Sequence, residues 1–292
     1  MPSNTAPRAV AVLLSALALS ACSAQPSHAF ARATTPSPTP SSAIPTVSPS
    51  PTAKPKPKSL AWYVAQVPTF PPAPVPVPVQ VASSGPATVW SHVPTDQKVA
   101  FITIDDGALA RPADVPEFIR QAHIPVTMFL NSPAATEYTD YFTRIEATGA
   151  VVGNHTIDHP ELRGRSYDYQ RREICGSADK LQQLFGKRPA LFRPPFGEYD
   201  HTTAQAARDC GATVMVNWTE TVNEGYVRYQ TPEKVVKPGD VLLMHFRPAL
   251  MDDLLGALKA IHKSGLTPAL LADYVPGLTD PPTAEGDLPP RR

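Results

Sequence analysis

Asp105 and Asp106 stand together in "FITIDDG", and His155 and His159 stand four residues apart in "GNHTIDHPEL". Two imidazoles and one carboxylate are the ligand set of a catalytic Zn²⁺ or similar ion that keeps open positions for water. Adjacent carboxylates allow a division of labour, one neutralised by a cation and the other free to act as a base. Each pattern is weak by itself. Two acids before a glycine are common in turns, and with eight histidines in 292 residues a chance pair at this spacing would be unsurprising.

The elements that must position these residues strengthen the reading. Short apolar runs, "VAFITI", "PVTMFL", "AVVGN", "ALFRP", "TVMVNW", "VLLMH" and "TPALL", predict strands. Between them "ADVPEFIRQAH", "DYFTRIEATG", "YQRREICGSADKLQQLFG", "TTAQAARDCG" and "LMDDLLGALKAIHKSG" predict helices. Several of these close on a glycine (Gly149, Gly186, Gly211, Gly265), the usual residue just past a helix C-terminus. The alternation argues a parallel α/β architecture, either a barrel or a doubly wound sheet. Asp105-Asp106 ends the first predicted strand, His155 the third, Arg193 the fourth, Trp218 the fifth and His245 the sixth. In both architectures the C-terminal strand edge is one shared rim where sites are assembled. Five such placements are hard to attribute to accident.

Outside this region the chain reads differently. Arg8 precedes an apolar run from Ala9 to Leu19, too short for a permanent membrane span and built like an export signal over residues 1–21. The run closes on "LSAC", which resembles the lipobox of bacterial lipoproteins and makes Cys22 the candidate lipidation site; an ordinary cleavable signal is the alternative. Residues 22–84 carry most of the 36 prolines and predict a disordered, extended Pro/Ser/Thr-rich spacer. About sixty residues at roughly 3.1 Å each reach on the order of 180 Å, enough to hold a domain away from a membrane and inside a cell wall. Ser59 to Phe70, "SLAWYVAQVPTF", is an apolar island in that spacer and a candidate to dock on the folded part. Residues 85–278 have the length of one domain, and 279–292 read as a disordered tail. A formal net charge of zero leaves no electrostatic footprint for nucleic acid. Of three cysteines, Cys175 and Cys210 remain after Cys22; in an oxidising compartment they are a candidate disulfide, two separate buried thiols being the alternative.

"TIDDG" (Thr103–Gly107), "HTIDH" (His155–His159), "RPPFG" (Arg193–Gly197) and "LLMH" (Leu242–His245) are similar in order and spacing to the motifs of the NodB-type polysaccharide deacetylases, carbohydrate esterase family 4. The resemblance runs from about Pro94 to Leu271. It implies a distorted (β/α) barrel that removes acetyl groups from cell-wall and related polysaccharides with a divalent metal, Zn²⁺ or alternatively Co²⁺ or Mn²⁺. Carried over position by position, Asp105 is the general base, and Asp106, His155 and His159 ligate the metal. Thr156 bonds within the metal loop, Arg193 holds and tunes the base, and His245 is the general acid. Pro194, Phe196, Trp218 and Leu243 line the pocket, with Leu243 beside the acetyl methyl and a backbone N–H near Phe196 facing the oxyanion.

This sequence departs from the family pattern in places. Ile104 replaces a usual phenylalanine, and Phe196 replaces a frequent tyrosine. After Trp218, "NWTETVNEGYVRY" lacks a clear match for the aspartate that orients the arginine and for a second aromatic; Glu220 and Glu224 are the acids available to stand in. Phe246 and Arg247 follow His245 where smaller or acidic residues are common, a change expected to alter substrate contacts. The resemblance implies a hydrolase of N-acetylated glycan, and the lipobox-like "LSAC" implies a lipid anchor at Cys22 outside a bacterial membrane. A catalytically silent glycan-binding lipoprotein and an O-acyl esterase on the same scaffold are the alternatives.

Overall fold

The apolar runs are strands buried on both faces, which is why they read as nearly continuous rather than alternating. A computed structural model describes residues 54–278; Cys22, the export segment 1–21, the first part of the spacer and the tail 279–292 lie outside the described residues. The strands are β1 (Thr88–Trp90), β2 (Val99–Asp106), β3 (Val126–Leu130), β4 (Val151–Asn154), β5 (Leu191–Phe192), β6 (Val214–Val216), β7 (Glu220–Asn223), β8 (Tyr226–Tyr229), β9 (Val241–His245) and β10 (Thr267–Ala269). The helices are α1 (Leu60–Val64), α2 (Val115–Ala122), α3 (Ser132–Glu137), α4 (Thr139–Glu146), α5 (Tyr167–Phe185), α6 (His201–Asp209) and α7 (Leu250–Lys263). Sheet order is β1-β6-β5-β4-β3-β2-β9-β7-β8, with β10 on the start of β2. Every ladder is parallel except the β7–β8 hairpin. The result is a distorted (β/α) barrel, curled and left open between its terminal strands.

Register decides which side chains share a face. Thr103 lies beside Thr127 and Leu243, and Asp105, one step higher, beside Phe129 and His245. Successive side chains alternate across a strand, so these face the inside of the curl. Below them Phe101, Leu191, Val214, Val216 and Val241 fill the interior. Ile102, Ile104, Met128, Leu242 and Met244 face outward and bury against Phe118 and Ile119 of α2 and Leu254 and Leu258 of α7. An apolar plug thus supports a polar rim. Gly153 of β4 lets the strand approach the plug closely, since a Cβ there would stand 2.6 Å from the Phe129 ring.

All seven predicted strands and five predicted helices have counterparts here. β1, α1, α3 and the β7–β8 hairpin are additions, and the hairpin occupies the stretch after Trp218. The boundary expected at residue 85 is corrected, because the last part of the presumed spacer belongs to the fold. Ser59 caps α1, Tyr63 packs its ring on Phe118 at 5.7 Å and donates its hydroxyl to Asp252 Oδ1 at 2.8 Å. Phe70 meets His262 at the far end of α7, ring centroids 5.6 Å apart. The proline-rich run beyond makes isolated hydrogen bonds, Gln97 Nε2 to Val75 O at 2.8 Å and Val79 N to Tyr274 O at 2.8 Å. Proline prevents a ladder, not an extended strap that places apolar side chains on a waiting seam. Cys175 and Cys210 form a disulfide that ties α5 to the C-terminal cap of α6. Among the described residues no helix is long and apolar enough to cross a membrane.

Candidate active site

Asp106 leaves the end of β2, and His155 and His159 leave the end of β4; one ligand atom from each lies within 4.8 Å of the others. Asp106 Oδ1 is 3.5 Å from His155 Nε2 and 3.4 Å from His159 Nε2. That oxygen is buried and has no hydrogen-bond partner. A buried acceptor left bare costs about 1–3 kcal/mol, so an oxygen aimed at two imidazole nitrogens fits a cation between them. His155 Nδ1 lies 2.7 Å from the Arg193 carbonyl oxygen. A carbonyl only accepts, so Nδ1 carries the proton and Nε2 keeps the lone pair a metal needs. Burial pushes the His155 imidazole below its ordinary range against the pull of Asp105 and Asp106, which favours the neutral, ligating form.

The loop that brings the histidines together is held from below. Asn154 Nδ2 donates to Ile174 O at 2.9 Å while its Oδ1 accepts from Thr156 N at 2.9 Å. Thr156 Oγ1 accepts from His159 N at 3.0 Å, and Glu173 Oε2 accepts from Asp158 N at 3.2 Å. Asp106, Thr156, His159 and Phe196 all have φ between 57° and 73°, the left-handed region that non-glycine residues rarely occupy. Such conformations persist only where the surroundings over-determine them, and they concentrate at functional sites.

Asp105 is buried beside the cluster. Its Oδ1 accepts from Arg193 Nη1 at 2.7 Å and its Oδ2 lies 3.7 Å from His155 Nε2. Arg193 is 0% exposed. It donates from Nε to Val216 O at 2.7 Å, from Nη2 to Asn217 O at 2.9 Å, and from Nη1 also to Thr103 Oγ1 at 2.8 Å. Thr103 can accept there because its hydroxyl donates to Leu242 O at 2.9 Å. Burial weakens the guanidinium's hold on its proton and the Asp105 carboxylate restores it; arginine remains charged in such a pair.

These contacts correct the expectation that Glu220 or Glu224 replaces the missing aspartate. Arg193 is oriented by two backbone carbonyls and a threonine. Glu220 turns to the other face of β7, where Thr219 Oγ1 donates to its Oε2 at 2.5 Å, and Glu224 is exposed in the hairpin turn at φ 54°. The expectation for Phe246 and Arg247 is corrected too. Phe246 is buried against Phe142, and Arg247 reaches Asp253 Oδ2 at 3.0 Å and Val222 O at 2.6 Å, so both serve packing.

His245 stands on the β9 side of the Asp106–His155–His159 cluster, Nε2 3.9 Å from Asp106 Oδ2, with its side chain 38% exposed. Leu243 lies one step below it on the same face. Phe196, in the 3₁₀ turn Pro195–Gly197 after the buried Pro194, is 63% exposed and sets its ring 4.7 Å from that of His159. Trp218 packs on Gly197, where a Cβ would stand 2.9 Å from its ring, and lies 5.7 Å from the Arg193 guanidinium. The structure therefore brings together all the residues expected at the rim, with Asp105 and His245 flanking the Asp106–His155–His159 cluster. Asn154 and Glu173 are supports that lie outside the motifs, and Thr103, which opens "TIDDG", is a support to which no role was given. Thr103 had a signal, lying two residues before Asp105 and hence on the same strand face; Glu173 had none.

Residues 92–215 match the family described as Polysaccharide deacetylase. An uncharacterized protein of Streptomyces coelicolor is 44% identical over 155 residues, 53% of this chain and 62% of that protein. A peptidoglycan-N-acetylglucosamine deacetylase of Bacillus cereus is 30% identical over 176 residues, 58% of this chain and 63% of that protein. These matches support the polysaccharide deacetylase family. The chain spans less than two thirds of either relative's length. The crystal structure of the Bc1960 peptidoglycan N-acetylglucosamine deacetylase shares the fold, with a TM-score of 0.56 at 23% identity over 65% of this chain and 93% of that one. The rim residues Asp105, Asp106, His155, His159 and Arg193 all fall inside the segment matched to the deacetylase family, whereas His245 and the hairpin lie beyond it.

Proposed function

We propose that this chain is a divalent-metal-dependent hydrolase that removes acetyl groups from N-acetylated cell-wall polysaccharide, peptidoglycan or a chitin-like glycan. The observation that carries this reading is the bare, buried Asp106 Oδ1 aimed at two imidazole nitrogens, with a tethered Asp105 beside it and His245 across from it. Asp106, His155 and His159 would hold the ion, Zn²⁺ on this donor set, with Co²⁺ or Mn²⁺ as alternatives. Bound there, the metal would polarise the acyl carbonyl and lower the pKa of a water towards roughly 7.

The chain's own groups do the rest. Asp105, with one oxygen fixed by Arg193 and the other turned to the ligand cluster, takes the proton from the attacking water. A backbone N–H of the turn at Phe196 faces the oxyanion that develops at the acyl carbon. An amine leaves badly as an anion, so His245 in its protonated form donates to the departing nitrogen. The half-exposed position of His245 leaves room for a sugar to bring that nitrogen within reach.

The reading extends to location. Lipidation at Cys22 would anchor the chain on the extracytoplasmic face of a bacterial membrane, with the proline-rich spacer carrying the domain into the wall. The test is acetate release from an N-acetylated glycan by the purified protein supplied with Zn²⁺ or Co²⁺. Release that disappears with chelation supports the proposal. Metal bound at the site without acetate release on amide or ester substrates contradicts it and favours a glycan-binding role.

A further inference from the structure

The β7–β8 hairpin carries the concave face of the sheet past His245. Thr221 of β7 is level with Leu243 of β9, so Asn223, two residues on, is level with His245 and shares its face. Across the hairpin Asn223 pairs with Tyr226 and Thr221 pairs with Arg228. Directly opposed residues in an antiparallel pair share a face. Tyr226 and Arg228 therefore project from the face that carries the acid, about 10 Å from it at two strand spacings. The opposite face of the hairpin is accounted for: Val222, Val227 and Tyr229 pack into the core beneath α7.

Tyr226 is 75% exposed, and neither its side chain nor that of Arg228 makes a hydrogen bond, ion pair or ring contact among the described residues. Their platform, in contrast, is fastened hard. Gly225 N donates to Asp253 Oδ1 at 2.9 Å, and Arg247 joins Val222 O to the same carboxylate. A Cβ on Gly256 of α7 would stand 2.2 Å from Gly225 O, so the turn lies directly on the helix. A bare aromatic on a rigid support costs little ordering entropy when it is covered, the economy seen in binding surfaces generally.

We propose that this hairpin face is a second sugar subsite, in which Tyr226 stacks on a pyranose ring of the glycan some residues away from the one at the metal cluster, and Arg228 donates to that sugar's hydroxyl groups. The C–H face of a pyranose is apolar with outward positive hydrogens, which suits the negative face of an aromatic ring. The forked guanidinium suits paired oxygen acceptors. The inference rests on the glycan reading above, since it is the continuity of this face with His245 that selects a polysaccharide as occupant.

The test uses binding, so that it stands apart from turnover. With chelator present, titration calorimetry compares N-acetylglucosamine dimers and pentamers on the full chain, on Tyr226→Ala and on Tyr226→Phe. The subsite predicts that Tyr226→Ala weakens pentamer binding about tenfold or more, equivalent to about 1.4 kcal/mol, with the dimer unaffected and Tyr226→Phe close to wild type. Equal pentamer affinity in Tyr226→Ala and wild type, or no pentamer preference in the wild type, overturns it. Should acetate release fail while pentamer binding still depends on Tyr226, the deacetylase reading falls and the subsite stands.

Discussion

Arg193 shows how the chemistry is held at the scale of one residue. Its guanidinium serves Asp105, Thr103 and the carbonyls of Val216 and Asn217 at once. A lysine ammonium has the charge but not the planar fork, and cannot span those acceptors. Arg193→Lys is expected to lower kcat about 100-fold by letting the base move, since misplacement of about 1 Å costs that much. Metal content should stay at the wild-type value, because the three ligands are untouched, and paired kinetic and metal assays check both. Asp105, Asp106, His155 and His245 were readable in the sequence as chemically capable residues at strand ends, and the structure gathers them with His159 at one rim. The partners of Arg193 were not, because backbone carbonyls have no signature in sequence. Glu220 makes a different prediction. Burial, with Asp240 adding repulsion, pushes its carboxyl up to about 7. A raised acid pKa means the folded chain binds this proton more tightly than the unfolded one. Its contribution to stability is full below the unfolded value of 4.5 and is lost as pH rises through about 7. Glu220→Gln should therefore show a shallower fall in Tm between pH 4.5 and 7 than the wild type; parallel melting curves across that window would refute the assignment.

At the scale of elements, the hairpin and α7 form a coupled unit. Gly256→Ala would drive a methyl into Gly225 O at 2.2 Å, against backbone that has no rotamer to escape to. The expected cost is about 1–3 kcal/mol, read as a fall in the denaturation midpoint. Loss of the Cys175–Cys210 bridge is a second element-level test. Cys175 lies in the same turn of α5 as Glu173 and Ile174, which support the histidine loop. Replacing both cysteines by alanine should cost about 2–4 kcal/mol, and the metal should be held more weakly as α5 loosens. Unchanged metal affinity would show that the loop does not depend on that tie. Strands and helices of normal length were legible from their apolar periods. β1, three residues long, and α1 and α3, of five and six, are too short to show one. The hairpin was obscured because each strand is only four residues long and Glu220, Thr221, Asn223 and Arg228 break up the apolar signal.

Across the whole molecule, composition was informative and also misleading. The proline count assigned residues 22–84 to a spacer, but the described residues from Ser59 onward pack on the domain, so the boundary was placed too late. The segment from Ser59 to Val81 closes the seam between α2 and α7 and lines the interior cluster below the sheet. Tyr63→Ala should cost about 3 kcal/mol, as for other large buried aromatics, and a chain beginning at residue 83 should melt well below one beginning at residue 54. Equal melting temperatures would return the strap to the status of a spacer. The export and lipidation reading makes its own prediction, that Cys22→Ala moves the protein from the membrane fraction to the soluble one, checked by fractionation of expressing cells.

The most direct test of the central claim is the metal content of the purified protein. About one equivalent of divalent ion is expected in the wild type and in Asp105→Asn, and loss of most of it in both Asp106→Ala and His159→Ala, with all four chains folded by circular dichroism. Undiminished metal in Asp106→Ala and His159→Ala, or no ion in a folded wild type dialysed against Zn²⁺, would contradict it.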